Sequence, residues 1–297
     1  MTRSVRLIVN PAAGGGKAKA HAAAIVPLLE NSGLDVSVVV PASAAETAAT
    51  ARDAVADGIE VICPVGGDGT VNLTLGALRG SESALAIIPT GTGDDNARTL
   101  GHDCGDADLA DMIAAGPLAT VDLGMAAGAG WERAWLSVLC AGFDSAVNDR
   151  ANNLEWPRGQ AKYVRAMLET LAKFRPINYG VVINDDERRE FAGMLMAIGN
   201  GPTYGGGMQV CAGADARDGQ LTITVLHELT KTRFLRVFPK VYSGAHIGHP
   251  AVEQFEARSL DVSGAAVAFA DGERLGELPV RVWVEPDALR VVSPAIA

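Results

Sequence analysis

The 297-residue sequence has few aromatic side chains, no closely spaced cysteines and no long uncharged apolar run. Aromatic residues make up 5% of the chain, so its core must consist mostly of Ala, Val, Leu and Ile. The four cysteines lie far apart without a Cys-x-x-Cys pair, which argues against a zinc ribbon or a disulfide framework and fits a reducing compartment. No segment approaches the roughly 18 apolar residues of a membrane-spanning helix, and the N-terminal apolar run is too short for a signal peptide. These absences predict a cytoplasmic protein.

Basic residues are also in deficit, with 25 Lys and Arg against 35 Asp and Glu and a net charge of −10. Broad binding of nucleic acid requires many cations that neutralise phosphates, so we expect no nucleic-acid partner. A hydrophobic fraction of 48% with 20% charged residues is typical of a globular chain. The net charge does not exclude a local basic patch.

The first 122 residues alternate strand-like and helix-like segments. Apolar, mostly β-branched runs at 5–9, 36–40, 61–65 and 84–88 are separated by stretches with helical spacing. This order predicts an α/β domain with a doubly wound parallel sheet, in which ligands bind beyond the carboxyl ends of the strands.

The sequence pattern changes in residues 123–297, where short strand-like runs follow one another. They predict a mostly antiparallel β-sandwich as a second domain. One strand is expected at 135–140, and the last, at 289–292, could return to the first domain. Helices expected at 160–174 and 232–244 interrupt the strands.

Three glycine-rich turns follow the first, third and fourth predicted strands. They read Asn10-Pro11-Ala12-Ala13-Gly14-Gly15-Gly16-Lys17, Gly66-Gly67-Asp68-Gly69-Thr70-Val71-Asn72 and Thr90-Gly91-Thr92-Gly93-Asp94-Asp95-Asn96. Glycine lets backbone N–H groups approach phosphate oxygens closely, and a following helix N-terminus adds a favourable dipole. The first turn is not a Walker A loop and the third is not a dinucleotide-binding fingerprint. A single turn of this kind is usually an ordinary tight connection, but three at one sheet edge predict a phosphate-binding site.

Acidic residues inside two of these turns indicate a metal ion. Asp68 and the Asp94-Asp95 pair would repel a bare phosphate, whereas Mg²⁺ between them would be held by one or two carboxylates, phosphates and water. The alternative for Asp68 is a helix N-cap, because Asp-Gly-Thr before a helix would cap well.

Taken together, the three turns and the following Ala97-Arg98 resemble the diacylglycerol kinase catalytic-domain family. That family includes bacterial soluble lipid kinases and the sphingosine and ceramide kinases, and it is distantly similar to the NAD kinases. Later motifs continue the resemblance in the family's order. They are Gly142-Phe143-Asp144, Asn200-Gly201…Tyr204-Gly205-Gly206-Gly207, Asp218-Gly219-Gln220-Leu221 and Asp271-Gly272-Glu273.

The resemblance implies an ATP- and Mg²⁺-dependent lipid kinase, with diacylglycerol as the expected substrate and phosphatidic acid as the product. The residues it assigns to ATP are Asn10, Pro11, Ala12, Ala13, Gly14, Gly66, Gly67, Asp68, Gly69, Thr70, Val71, Asn72 and Thr92. The residues it assigns to Mg²⁺ are Asp68 and Asp95 at the catalytic ion, acting through water, and Asp215, Asp218 and Gln220 at a structural ion. Asp271 and Glu273 are the implied acids that deprotonate the lipid hydroxyl, and a general base of this kind contributes about 10²–10⁴-fold. A plain β-hairpin turn is the alternative for these two residues.

Three positions depart from the family pattern. Leu73 stands where the family usually has Glu, Asp94 where it has Asn, and Asn96 where it has Phe. These departures motivate one alternative function, a nucleotide-binding regulator without activity. An NAD kinase-like small-molecule kinase, which shares the Gly-Gly-Asp-Gly-Thr turn, is the other.

The segment 230–242 is basic within an acidic chain, since it carries Lys231, Arg233, Arg236 and Lys240 and no acid. One interpretation is a helix that packs its apolar side on the sandwich. The other is a basic amphipathic face that touches anionic lipid. We expect a lipid substrate, peripheral contact with an anionic membrane, and a homodimer.

Overall fold

The helices and strands fall into two units in a computed structural model that describes residues 2–154, 156 and 160–294. The first unit runs to Leu123 and also takes in Ala216–Asp218 and the chain from Glu285 onwards. The second unit comprises Gly124–Asp215 and Gly219–Val284. Among the described residues, no helix is both long enough and apolar enough to cross a bilayer.

The first unit is built on parallel strands. In chain order its elements are β1 (Ser4–Val9), α1 (Ala18–Asn31), β2 (Asp35–Val39), α2 (Ala44–Ala56), β3 (Val61–Gly66), α3 (Asp68–Leu78), β4 (Ala84–Leu85), β5 (Ile88–Pro89), α4 (Asp95–Leu100), α5 (Asp106–Ala115) and the start of β6 (Leu118–Gly128). The strand β3 is buried at every residue, as expected of a central strand with helices on both faces. It pairs in parallel with β1, β4 and β5, and β1 pairs in parallel with β2. The predicted parallel sheet is confirmed.

The second unit is dominated by antiparallel strands. Its elements are β7 (Trp131–Trp135), β8 (Val138–Gly142), α6 (Phe143–Asn152), α7 (Gln160–Lys173), β9 (Ile177–Ile183), β10 (Glu187–Gly199), β11 (Leu221–His227), α8 (Lys231–Val237), β12 (Val252–Ala257), β13 (Ser259–Ser263), β14 (Val267–Ala270), β15 (Glu273–Glu277) and β16 (Val280–Val292), whose last residues belong to the first unit. The strand β10 pairs antiparallel with β8, β9 and β11, and β14 pairs antiparallel with β8 and β15. The antiparallel prediction is likewise confirmed.

Two apolar clusters support this second unit. One lies among the strands and contains the fully buried Trp135 and Tyr179. The other surrounds Phe143 where α6, α7 and α8 cover β8 and β10. The ring of Phe143 contacts those of Phe174 and Phe234 edge-on, with centroids 5.3 and 4.7 Å apart. The helices are therefore fixed to the strands through aromatic packing.

The strand expected at 135–140 is interrupted, so that prediction is wrong. The strand β7 ends at Trp135 and β8 begins at Val138. Between them, the N–H groups of Leu136 and Ser137 donate to the carboxylate of Asp271 rather than to a neighbouring strand. A long-range side-chain contact therefore replaces the sheet hydrogen bonds at this point.

Candidate active site

Asn10 joins the first glycine-rich turn to the second. It directly follows β1, and its N–H donates to the carbonyl of Val65 at 3.1 Å. Its Nδ2 donates to the Thr70 hydroxyl at 2.9 Å, and its Oδ1 accepts the N–H of Ala12 at 3.0 Å. One asparagine therefore fixes the path of the first turn against the start of α3.

The glycines allow the three turns to approach one another more closely than any side chain would permit. Gly14 has a φ of +59°, and a Cβ on it would lie 2.5 Å from the carbonyl oxygen of Thr90. A Cβ on Gly91 would lie 2.8 Å from the Cα of Gly67. Such distances are well inside van der Waals contact, so the arrangement requires glycine. The three turns therefore form one cradle, which we call the glycine cradle.

Asp68 links the second and third turns. The N-cap of α3 is Gly67, so the interpretation of Asp68 as the N-cap is wrong. Asp68 is the first helical residue, and its Oδ1 accepts the N–H of Asn96 at 2.9 Å. The carboxylate thus lies at the junction of two turns.

The third turn holds two further carboxylates. Asp94 adopts a left-handed conformation with a φ of +52°, and its Oδ1 accepts the N–H of Gly91 at 2.9 Å. Burial raises the pKa of Asp94 above its ordinary value. Asp95 is buried, and its Oδ1 accepts from the guanidinium of Arg98 at 2.9 Å. These contacts order the turn, and the guanidinium of Arg98 compensates the charge of Asp95.

Two buried oxygens in the glycine cradle lack a hydrogen-bond partner. They are Oδ1 of Asn72, on α3, and Oγ1 of Thr90, in the third turn. Orphaned buried polar atoms are costly, and a bound water, ion or ligand can supply the missing contact. The family resemblance implies a contact with ATP for Asn72 and no role for Thr90.

The other residues assigned to ATP lie on the same turns. Pro11 and Ala12 precede a single 3-10 turn at Ala13–Gly15, and Thr92 is exposed in the third turn. Gly69, Thr70 and Val71 lie in the first turns of α3, where Thr70 and Val71 are buried.

The proposed structural metal ligands occupy a separate turn. Asp215 and Asp218 are exposed, and the Gln220 amide donates to Glu256 at 3.2 Å. Over the described ranges of the chain, no three His, Cys, Asp or Glu side chains are grouped to hold a metal. A site at 215–220 would therefore need backbone carbonyls or water in addition to its carboxylates.

Asp271 occupies the tight turn between β14 and β15. It has a φ of +47° and is followed by Gly272 at +84°, the pattern of a two-residue hairpin turn. Its Oδ1 accepts the N–H groups of Ser137 and Val138 at 3.0 Å each, and its Oδ2 accepts that of Leu136 at 2.8 Å. The hairpin alternative is therefore correct as a description of the backbone, and the carboxylate binds three consecutive peptide groups.

Asn200, which directly follows β10, binds the same three-residue segment. Its Nδ2 donates to the carbonyl of Leu136 at 2.8 Å, and the N–H groups of Asn200 and Gly201 donate to that of Ser137 at 3.0 and 2.8 Å. The residues Leu136, Ser137 and Val138 are thus bound by two of the late motifs at once. We call them the latched segment.

Glu273 differs from Asp271 in its surroundings. It is exposed at the start of β15, paired in register with Ala270. The two acids of the Asp-Gly-Glu motif therefore occupy unlike positions, one bonded to backbone and one facing solvent.

Asp144 is a buried acid whose function the sequence left open. It lies at the start of α6 with 7% of its surface exposed, and its Oδ1 accepts the N–H of Ser145 at 2.9 Å. Burial raises its pKa to about 6, while the nearby Cys140 thiol and Tyr204 hydroxyl act in the opposite direction. The Gly-Phe-Asp motif pointed to this residue but not to its burial.

Comparison with known proteins places both halves of the chain in described families. Residues 4–126 match the diacylglycerol kinase catalytic domain, and residues 137–293 match the YegS C-terminal NAD kinase beta sandwich-like domain. A diacylglycerol kinase from Mycobacterium tuberculosis is 35% identical over 98% of this chain and 95% of its own length.

Solved structures share the fold. A diacylglycerol kinase from Bacillus anthracis superposes with a TM-score of 0.74 at 20% identity, covering 99% of this chain and 97% of the other. An NAD kinase from Archaeoglobus fulgidus in complex with ATP gives a TM-score of 0.54 at 12% identity, covering 99% and 94%. At these identities the likeness concerns the fold.

Proposed function

The chain belongs to the diacylglycerol kinase catalytic-domain family and is a lipid kinase, and on that premise we propose that it transfers the γ-phosphoryl group of ATP to the hydroxyl of diacylglycerol. The product would be phosphatidic acid. The observation that carries the proposal is the glycine cradle with its two orphaned buried oxygens. Close backbone turns at a helix N-terminus suit the phosphates of a nucleotide, and the two orphaned oxygens can accept from a ribose hydroxyl, an amino group or water on a bound cation.

ATP binding is assigned to the turns that form the cradle. Backbone N–H groups are supplied by the segments from Asn10 to Gly14 and from Gly66 to Asn72. Side-chain oxygens come from the same segments and from Thr92. Asn72 and Thr90 retain buried oxygens that can accept from a ligand or from its bound water. The ATP-bound NAD kinase of similar fold supports a nucleotide as the ligand of such a domain.

Mg²⁺ fits the donor set at the same turns. Asp68 and Asp95 offer two hard oxygen ligands, and phosphates and water would supply the remaining ligands, as is usual for Mg²⁺. Because Asp68 and Asp95 already accept N–H groups, contact through water suits them. When bound, the ion neutralises phosphate charge, which is much of the work of phosphoryl transfer. A second, structural Mg²⁺ at Asp215, Asp218 and Gln220 belongs to the same proposal.

Glu273 is our candidate for the residue that accepts the proton of the lipid hydroxyl. The oxygen of that hydroxyl attacks the γ-phosphorus, the bond to the ADP oxygen breaks, and the proton passes to a carboxylate. Asp271 is less suited, because both of its oxygens already accept backbone N–H groups. We assign Asp271 to holding the hairpin that presents Glu273.

The cellular setting follows from the substrate. Diacylglycerol resides in a bilayer, so we propose a cytoplasmic enzyme in peripheral contact with anionic membrane, and a homodimer. Light scattering measures the mass of the protein in solution and therefore tests the homodimer directly.

The reaction is tested by incubating the protein with γ-labelled ATP, Mg²⁺ and either diacylglycerol or a total lipid extract. Labelled phosphatidic acid is the expected product. Label in another lipid would support the lipid kinase activity but identify a different substrate. Label in NADP after NAD is added would favour the NAD kinase-like alternative. No label in any acceptor, with ATP bound, would favour the inactive regulator.

The cradle is tested separately by nucleotide binding. Replacing Asn72 with Ala is expected to weaken ATP binding by up to about ten-fold, since a hydrogen bond from a neutral donor of the ligand to the amide oxygen contributes roughly 0.5–1.5 kcal/mol. Asn31→Ala, an exposed asparagine at the end of α1, is the matched control. Equal ATP dissociation constants for the two variants would contradict the assignment of Asn72.

A further inference from the structure

The helix α7 exposes apolar side chains along one stripe. Val164 and Leu168 are 49% and 52% exposed, and they lie four residues apart, so they occupy one face of the helix. The small Ala161 and Ala172 extend the same stripe and are also exposed, whereas Ala166 and Leu171 face the core. A surface helix normally faces solvent with polar side chains. The helix α7 instead has two apolar stripes, one buried against the core and one exposed to solvent.

Large apolar side chains are concentrated around this stripe. In the part of the chain that the structure describes, nine large hydrophobic residues are exposed, and six of them lie at 156–168 or 235–242. They are Trp156, Tyr163, Val164, Leu168, Leu235 and Tyr242. We call these six the α7–α8 surface. Single exposed apolar residues need no explanation, but a group of this size marks an interaction site.

The two helices that carry four of these six residues are neighbours, while Trp156 precedes α7 and Tyr242 lies in the 3-10 helix Phe238–Ser243 after α8. Phe174, just after α7, and Phe234, on α8, both pack on the ring of Phe143. The ammonium group of Lys231 also donates to the carbonyl of Ala172, which ties the start of α8 to the end of α7. The exposed residues therefore belong to one region of the second unit.

Positive charge accompanies the apolar groups. The segments 160–178 and 228–244 contain eight of the chain's 25 basic residues and only two of its 35 acidic ones, Glu169 and Glu228. Arg150 and Arg165 bind Glu169 at 2.6 and 2.7 Å, so that acid is neutralised locally. Of these eight basic residues, seven form no ion pair with any described residue; they are Lys162, Lys173, Arg175, Lys231, Arg233, Arg236 and Lys240. In a chain of net charge −10, this local excess of positive charge favours an anionic binding partner.

We propose that the α7–α8 surface docks on an anionic lipid bilayer, with Trp156, Val164 and Leu168 entering the interfacial region and the unpaired cations meeting the headgroups. The proposal rests on the lipid kinase function, and it extends the basic segment 230–242 to an apolar face on α7. Apolar side chains flanked by Lys and Arg, with Trp and Tyr at the boundary, are the composition of interfacial helices. A bilayer suits this composition better than a second copy of the chain, because two identical basic surfaces would repel each other.

Vesicle binding without ATP tests the surface independently of catalysis. The full-length protein is sedimented with phosphatidylcholine vesicles that contain or lack phosphatidylglycerol. Wild type is expected to bind only the anionic vesicles, less well at high salt. The double variant Val164→Ser/Leu168→Ser should bind at least about ten-fold more weakly, given the apolar area withdrawn from the interface. Charge reversal at Arg233 and Arg236 should weaken binding by about five-fold or more for each residue.

Matched controls distinguish binding through this surface from non-specific adsorption by other exposed apolar or charged side chains. Val38→Ser/Val40→Ser removes two valines that are 46% and 44% exposed in the first unit, and it should leave binding unchanged. Lys19→Glu/Arg52→Glu makes the same charge change on α1 and α2 with the same expectation. A blue shift of fluorescence on adding vesicles, lost in Trp156→Phe, would support entry of the 73% exposed Trp156 into the interface.

The outcomes distinguish this proposal from the function on which it rests. If the α7 variant loses vesicle binding but keeps its kcat on short-chain diacylglycerol dispersed in detergent, the docking surface is supported. Binding that is equal in the α7 variant and the Val38/Val40 control overturns it. Failure of wild type to bind anionic vesicles, with a dimer that the α7 variant dissociates, also overturns it in favour of a second copy. Vesicle binding without lipid phosphorylation would support the surface and refute the kinase proposal instead.

Discussion

Replacing Asp271 with Asn should damage stability, whereas replacing Glu273 with Gln should damage only catalysis. Asn adopts a positive φ as readily as Asp does, so the hairpin turn itself is not perturbed. The substitution changes the hydrogen bonds to the latched segment. If Oδ1 keeps the N–H groups of Ser137 and Val138, the new Nδ2 faces the N–H of Leu136, which loses its acceptor.

The size of the effect follows from these contacts. A hydrogen bond to a charged group contributes about 1.5–3 kcal/mol, and a buried donor left unsatisfied costs about 1–3 kcal/mol. We therefore expect Asp271→Asn to lower the free energy of unfolding by about 2 kcal/mol. Glu273 is exposed, and surface substitutions usually change stability by less than about 0.5 kcal/mol. As the proposed proton acceptor, however, its amide should lower kcat by about 10²–10⁴-fold.

Urea denaturation and steady-state kinetics on both variants measure the two quantities. Kinetics are recorded at urea concentrations well below the unfolding midpoint of either variant, so that both variants are fully folded. If Asp271→Asn unfolds like wild type but loses kcat, while Glu273→Gln keeps kcat, the assignment is reversed and Asp271 accepts the proton. Near-normal kcat in both would place the base outside this hairpin.

Three further substitutions test other parts of the account. Burial raises the pKa of Asp144 to about 6, so the folded state binds the extra proton and loses stability as the pH rises from about 4 to about 6. In urea denaturation, Asp144→Asn should therefore be more stable than wild type near neutral pH, by at most about 3 kcal/mol, and not below about pH 4; a gain that is the same at every pH would contradict this. Asp68→Ala should abolish turnover and also lower the free energy of unfolding by about 1–3 kcal/mol, because the buried N–H of Asn96 loses its acceptor; normal turnover in the folded variant would remove Asp68 from the metal site. Asp218→Ala should raise the Mg²⁺ concentration needed for half-maximal activity, and superimposable Mg²⁺ titrations would dismiss the structural ion.

The sequence predicted the glycine cradle well because its determinants are local. Each turn directly follows a short apolar strand, so parallel pairing alone brings Asn10, Gly66 and Thr90 to one edge of the sheet. Their close approach was not predictable, since it depends on distances such as that between Gly14 and Thr90. The buried orphaned oxygens emerge only from that packing.

Other features depend on residues far apart in the chain. The break after Trp135 arises because Asp271, 135 residues from Leu136, takes backbone N–H groups that a strand pattern assigns to a sheet. The helix predicted at 160–174 is present as Gln160–Lys173, but periodicity could not show that its outward face is apolar. Two apolar stripes on one short helix look like a single broad core face until the neighbours are known.

The latched segment also has a consequence for how the protein is made. Leu136 leaves the ribosome long before its partners, because Asn200 follows 64 residues later and Asp271 follows 135 residues later. At about 5–20 residues per second, the second partner is translated roughly 7–27 s after the segment itself. The first unit waits longer still, since its strand β4 pairs with Val291 of β16. Neither unit can complete its hydrogen bonds before Asp271 and Val291 have been translated, so both are exposed to chaperones and proteases until then.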